Sequence, residues 1–128
     1  MMSEVGTIVL THSQLAFGYQ KILEKMFGVL EDTIFLSNEG LSFEELKNRL
    51  AEEIKKLNKA KIIIFVDIIY GSCAQAATEL KKENENIKLV CGFNLPSLIK
   101  FFTYKDKKPL EELLKEVISS GKEGIKEI

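Results

Sequence analysis

Short apolar runs alternate with amphipathic segments along this chain. Four of the runs have the length of β-strands and are rich in Ile, Val, Leu and Phe: Val5 to Leu10, Thr33 to Leu36, Ile62 to Val66 and Ile87 to Phe93. The first and third are apolar almost throughout, which is typical of strands buried on both faces of a parallel sheet. The pattern therefore predicts four strands of one sheet.

Five other segments repeat apolar residues at helical spacing, and several carry signals for helix ends. Ser42 and Glu45 form a capping box at the start of the second predicted helix, and Pro96 suits the first turn of the fourth. Gly28 and Gly121 can end the first and the last helix. The third helix is expected to begin near Ser72 and is rich in alanine, which allows close packing on the sheet.

The predicted order is βαβαβαβαα, followed by a tail from Gly124 to Ile128 that we expect to form a short strand. Alternating strands and helices are typical of a parallel sheet with helices on both faces. We therefore predict an α/β fold in one domain, residues 1–128. Its doubly wound open sheet has four parallel strands in the order 2-1-3-4.

Composition excludes several functions. The 128 residues include 18 basic and 19 acidic ones, a formal net charge of -1, whereas a dedicated nucleic-acid binder is expected to be basic. No run of eighteen apolar residues and no signal peptide is present, and Cys73 and Cys91 suit a reducing cytosol, so we expect a cytoplasmic protein. A single histidine and two cysteines without ligand spacing argue against a structural zinc site. The usual nucleotide-binding motifs are missing, and we expect no cofactor and no metal.

Three polar residues follow predicted strands at the edge where open parallel sheets bind their ligands. His12, the single histidine, comes directly after the first strand, Asp67 directly after the third, and Ser72 opens the third helix. Singly, each has an ordinary structural explanation: a surface histidine, a loop-capping aspartate, and a helix cap paired with Gln75. In the order 2-1-3-4, however, strands one and three are neighbours, so His12 and Asp67 are expected to share one crevice.

This combination suits reversible phosphorylation of histidine better than hydrolysis. An imidazole titrates near neutral pH, and a carboxylate bonded to one ring nitrogen leaves the other as a nucleophile. A helix start with free N–H groups and a serine hydroxyl can bind a phosphate. Cys73 leaves a cysteine nucleophile open as an alternative.

The chain resembles the IIA component of the mannose/fructose-type sugar phosphotransferase system over nearly its whole length. The resemblance rests on five segments taken together: Ile8-Val9-Leu10-Thr11-His12, Gln14-Leu15-Ala16 with Gly18, Leu36-Ser37-Asn38-Glu39-Gly40, Asp67-x-x-x-Gly71-Ser72, and Gly92-Phe93-Asn94-Leu95-Pro96. No one segment is decisive, but their order and spacing are specific.

The resemblance implies a phosphotransferase component that works through a phosphohistidine. His12 would accept a phosphoryl group, expected on the tele nitrogen, from the phosphocarrier protein HPr and pass it to the IIB component. Asp67 would orient the imidazole, and Ser72 would hydrogen-bond the phosphoryl group. The membrane IIC and IID permease would be an indirect partner. The resemblance also implies a homodimer in which each C-terminal segment adds an antiparallel fifth strand to the partner's sheet.

Three residues depart from the family pattern. The turn after the third strand commonly reads Asp-x-x-Gly-Gly, then Ser or Thr, then Pro. Here Tyr70 stands at the first glycine and Cys73 at the proline, while Ser13 stands where glycine is frequent. Tyr70 is expected to restrict the turn locally. The alternatives are the phosphoryl-transfer subunit of a dihydroxyacetone kinase system, a non-catalytic regulatory domain of this fold, and a flavodoxin-like mononucleotide binder.

Overall fold

A computed structural model of the chain describes residues 4–128, which form four strands and five helices. In chain order these elements are β1 Val5–Thr11, α1 Leu15–Phe27, β2 Thr33–Ser37, α2 Phe43–Leu57, β3 Lys61–Val66, α3 Gly71–Glu83, β4 Ile87–Cys91, α4 Leu95–Tyr104 and α5 Leu110–Glu123. The chain divides into two compact units, one ending at Gly92 and the other running from Phe93 to Ile128. The assignment of the whole chain to one domain stays a prediction.

The first unit contains a four-stranded parallel sheet in the order β2-β1-β3-β4, which confirms the predicted topology. All seven residues of β1 are buried, as are the last five of β3. These central strands are therefore buried on both faces, while β2 and β4 form the edges. In the register between the two central strands, Leu10 pairs with Val66, so both strands end side by side.

Helices lie on both faces of this sheet, as predicted. On one face, α2 and α3 contribute Leu46, Leu50 and the buried alanines of α3 to a core cluster with strand residues such as Ile8 and Ile64. On the other face, α1 is tied to Thr11, whose side-chain oxygen accepts a hydrogen bond from the Ala16 backbone N–H at 2.7 Å.

Helix ends follow local chemistry, with one correction in this set. Ser42 and Glu45 form the predicted capping box of α2, and Gly28 caps the C-terminus of α1. The prediction that Gly121 ends α5 is wrong, because the helix continues to Glu123. Gly121 instead lies against Asn94: its carbonyl accepts a 2.8 Å hydrogen bond from the Asn94 amide, and a Cβ added there would meet Asn94 Oδ1 at 3.1 Å.

The second unit holds α4, α5 and the tail after them. Asn94 and Ser97 form a capping box at the start of α4, with Pro96 in its first turn as predicted. Ile125 to Ile128 adopt no regular secondary structure, and the exchange of a fifth strand between subunits stays a prediction. Among residues 4–128, no helix is both long enough and apolar enough to cross a bilayer.

Candidate functional site

The loop after β1 is fixed by the last residue of the strand. The fully buried Thr11 hydroxyl donates to the His12 carbonyl at 3.2 Å while it accepts from the Ala16 N–H. Ser13, next along, adopts the left-handed region at φ 52°. This conformation accounts for the glycine that is frequent at that position, since glycine enters the region at no steric cost.

The Asp67 carboxylate holds both the backbone and the ring of His12. Its Oδ2 accepts a hydrogen bond from the His12 backbone N–H at 3.0 Å, and its two oxygens lie 3.1 and 3.2 Å from Nδ1 of the ring. Its Oδ1 also accepts from the Ile68 N–H at 3.1 Å. The predicted proximity of His12 and Asp67 is therefore confirmed.

This contact determines which ring nitrogen of His12 can react. An ionised carboxylate only accepts hydrogen bonds, so neutral His12 carries its proton on Nδ1 and keeps the lone pair on Nε2. The Asp67 side chain is 10% exposed, whereas that of His12 is 35% exposed. The arrangement therefore combines a sheltered orienting group with an accessible nucleophile.

Gly71, the first residue of α3, lies directly against Nε2 of His12. Its φ is +90°, and a Cβ added there would lie 3.0 Å from Nε2 and 3.3 Å from Cε1. Glycine is thus required both by the backbone and by the space that the ring needs. The unpaired N–H groups of the first turn of α3 begin at this point, beside the nucleophilic nitrogen.

Tyr70, the departure from the family turn, is accommodated without strain. Its backbone is extended, with φ -107° and ψ 163°, and its side chain is 75% exposed. The left-handed conformation falls on Gly71, the glycine that this chain retains. The Tyr70 side chain therefore lies at the rim of the site, and its backbone needs no unusual conformation. This result is contrary to the expected restriction of the turn.

Asn38 also contacts the site, although it is not among the residues predicted from the sequence. Its Oδ1 accepts from the Ser13 N–H at 3.1 Å, and its Nδ2 donates to the Ser72 hydroxyl at 3.3 Å. Its backbone N–H donates to the Thr11 carbonyl at 3.2 Å. Its position directly after β2, the other strand next to β1, is the sequence feature that could have identified it.

Ser72 lies in the first turn of α3 but does not cap the helix. Tyr70 occupies the N-cap position and makes no side-chain capping bond, so the capping box of Ser72 with Gln75 is wrong. A hydrogen bond from Asn38 holds the Ser72 hydroxyl. Its contact with a phosphoryl group stays a prediction.

Cys73 is fully buried beneath this turn. Burial raises the pKa of its thiol to about 12, and the negative charge of Asp67 acts in the same direction, while a hydrogen bond with Ser72 opposes them. The thiol is therefore protonated at neutral pH, which disfavours the cysteine nucleophile. Its sulfur and the donor atoms of His12 and Asp67 all lie within 4.8 Å of one another, so these three side chains could hold a metal ion.

Gly71→Ala should destabilise the protein by about 1–3 kcal/mol, because alanine would be forced into an unfavourable φ while its Cβ presses on the imidazole. Gly18→Ala is the matched control: Gly18 lies inside α1 with nothing within 4 Å of an added Cβ, so the protein should gain about 0.5–1 kcal/mol. Urea unfolding measures both changes. Equal stability of Gly71→Ala and the wild type would contradict the tight fit around His12.

The chain is similar to proteins of one known family. The family described as PTS system fructose IIA component matches residues 6–118, a range that includes His12, Asp67 and Ser72. The mannose-specific EIIAB component of the PTS system from Escherichia coli (strain K12) is 26% identical over 125 residues. That match covers 95% of this chain and 39% of the relative, so the chain spans about two-fifths of the length of the curated relatives it matches.

Solved structures share the fold. The phosphotransferase system component EIIA from Streptococcus agalactiae superposes with a TM-score of 0.87 at 23% identity, covering 96% of both chains. The mannose/sorbose specific IIA subunit of the phosphotransferase system from Enterococcus faecalis gives a TM-score of 0.83 at 18% identity, covering 99% of this chain and 96% of that one. Because the family match extends over most of the chain, from β1 into α5, the chain belongs to the PTS system fructose IIA component family, as its motifs predicted.

Proposed function

We propose that this protein carries a phosphoryl group on His12 between HPr and a IIB component, for uptake of sugars of the mannose/fructose type. The observation that carries this proposal is the pairing of Nδ1 with the Asp67 carboxylate at 3.1 Å, which leaves Nε2 free to react. Family membership supports the general kind of function, a phosphotransfer component of a sugar phosphotransferase system.

The transfer needs one nucleophile and no cofactor. The lone pair on Nε2 attacks the phosphorus of the donor's phosphohistidine, the donor's P–N bond breaks, and its electron pair returns to the donor ring. Positive charge develops on the His12 ring as the new bond forms, and Asp67 stabilises it across the Nδ1–H bond. The same steps in reverse, with IIB as acceptor, discharge the protein.

The start of α3 suits the charge that arrives with the phosphoryl group. Gly71 places the first turn of this helix beside Nε2, and the unpaired N–H groups there favour an anion. The Ser72 hydroxyl, held by Asn38, is the side chain that we assign to bond a phosphoryl oxygen. A hydrolase, by contrast, would need an activated water molecule at this point, whereas the transfer between two histidines uses none.

His12→Ala should abolish phosphorylation while the fold persists. The Asp67 carboxylate would still accept the hydrogen bond from the backbone N–H of residue 12, so the loop keeps an anchor. After incubation with phosphoenolpyruvate, enzyme I and HPr, the wild type should gain about 80 Da as an acid-labile adduct, as expected for one phosphoryl group. Adduct formation on the variant would overturn the assignment of His12. A wild type that gains no mass would instead favour a regulatory domain.

Asp67→Asn should slow phosphoryl acceptance by about 10²-fold. This effect is smaller than the ~10⁴-fold loss of catalytic rate that the comparable change causes in a serine protease. The amide can donate to Nδ1, which moves the ring proton to Nε2 and removes the nucleophilic lone pair. Asp32→Asn is the control, since Asp32 pairs with Lys59 at 3.4 Å, outside the site, and should leave the rate unchanged. Rapid-quench transfer from labelled HPr measures the rates. Equal rates for Asp67→Asn and the wild type would show that Asp67 has only a structural role.

We also propose that two copies of the chain form a homodimer through the tail after α5. Ile125 and Ile128 are highly exposed, and the sheet has unpaired edges at β2 and β4 within the described residues. Apolar residues and open sheet edges are both unfavourable in water, and pairing the tail with a partner's edge would cover both. Two observations thus support the proposal: the exposed isoleucines of the tail and the open edges of the sheet.

Deleting residues 125–128 should shift the protein from dimer to monomer while α5 stays intact, because the helix ends at Glu123. Val29→Asp, which changes an exposed apolar residue between α1 and β2, should remain dimeric. Light scattering at micromolar concentration measures the mass. A monomeric full-length protein would overturn the dimer and leave the assignment of His12 untouched.

A further inference from the structure

The fold brings three different metal-ligating side chains to one point. His12 follows β1, Asp67 follows β3, and Cys73 lies in the first turn of α3, yet their donor atoms all lie within 4.8 Å of one another. We propose that His12, Asp67 and Cys73 bind a zinc ion, and that zinc and a phosphoryl group compete for His12. The competition rests on the proposed function, whereas the binding of zinc does not.

The donor set selects the metal. Imidazole nitrogen, carboxylate oxygen and thiolate sulfur are the three ligand types of protein zinc sites, and three protein ligands leave a fourth position for water. Magnesium and calcium prefer sites made wholly of oxygen, so the sulfur of Cys73 disfavours both. The family's usual proline at this position offers no ligand, which makes the site a property of this chain's own sequence.

The geometry needs only a small adjustment. Zinc lies about 2.0–2.3 Å from such ligands, which places tetrahedral ligand atoms about 3.3–3.8 Å apart. The oxygens of Asp67 and Nδ1 of His12 already lie 3.1 to 3.2 Å apart. Because no two of the donor atoms are more than 4.8 Å apart, the largest contraction needed is about 1–1.5 Å, within reach of changes in the Cys73 and His12 side-chain torsions.

Charge and access are also compatible with a divalent cation. Zinc displaces the thiol proton of Cys73 to solvent, because a coordinating thiol is deprotonated by the metal. The resulting thiolate and the Asp67 carboxylate together balance the two positive charges, with the imidazole neutral. The His12 side chain, 35% exposed, provides the route from solvent, while the fully buried sulfur is shielded from competing water.

Bound zinc and phosphorylation would exclude one another by direct competition. Zinc on Nδ1, the nitrogen that faces Asp67, would displace the proton there. The proton of the neutral imidazole would then lie on Nε2, where it removes the lone pair that attacks phosphorus. Asp67 would be a metal ligand and would no longer stabilise charge on the imidazole. The zinc-loaded protein should therefore be unable to accept a phosphoryl group.

Zinc binding is measured by competition with a chromophoric chelator, using zinc chloride and the unphosphorylated full-length protein. The wild type should bind one equivalent, and Cys73→Ser should bind zinc at least tenfold more weakly. Cys91→Ser is the matched control, because Cys91 is the other cysteine and lies outside the three-residue cluster.

Cobalt chloride adds a spectroscopic test: a thiolate-to-cobalt charge-transfer band should appear with the wild type and Cys91→Ser, and be absent with Cys73→Ser. Cys73→Ala gives a second variant, and circular dichroism verifies that each variant is folded.

Equal zinc affinity for the wild type and both Cys73 variants, or a cobalt spectrum without the charge-transfer band, would overturn the site.

The competition is tested by phosphorylating the wild type with and without a saturating equivalent of zinc. HPr is phosphorylated beforehand and enzyme I is removed, so that zinc can affect only the transfer step. The zinc-loaded protein should gain no mass, and an undiminished gain would overturn the competition. A protein that accepts phosphate but binds no zinc would refute the metal site alone. One that binds zinc but never accepts phosphate would refute the proposed function alone.

Discussion

The hydrogen bonds from His12 to the Asp67 carboxylate are the interaction on which the rest of the site depends. One carboxylate fixes the backbone of the loop after β1, the orientation of the imidazole and the backbone of Ile68 in the loop after β3. It can do so only because β1 and β3 are neighbours whose register ends both strands side by side. A shift of one residue between these strands would turn their side chains to opposite faces and separate the two groups.

Much of this arrangement could be predicted from the sequence. The continuous apolar runs of β1 and β3 identify central strands, and parallel strands bring their carboxyl ends to a common edge, so the approach of His12 and Asp67 follows from topology. The capping box of Ser42 was equally predictable, because it depends on residues three positions apart. Such features are local, or depend only on the order of the strands.

Other features depend on contacts that no spacing reveals. Asn38 acts through a side chain that reaches both the loop after β1 and the start of α3, and its role depends on how close these two segments lie in space. Gly121 looks like a helix end in the sequence, but its packing against Asn94 explains a glycine inside α5. The proximity of Cys73 to His12 was hidden for the same reason, because the three ligands come from separate segments and have no regular spacing along the chain.

The amide of Asn38 has a consequence for how fast a partner can engage this protein. It bonds the loop after β1 through Ser13 and the start of α3 through Ser72, while Asp67, in the loop after β3, bonds the loop after β1 through His12. Segments that are cross-linked in this way have little conformational freedom left to lose when another protein docks. Association would then be governed by diffusion and orientation rather than by the ordering of flexible loops, which would suit the proposed carrier because it would meet two different proteins in every cycle.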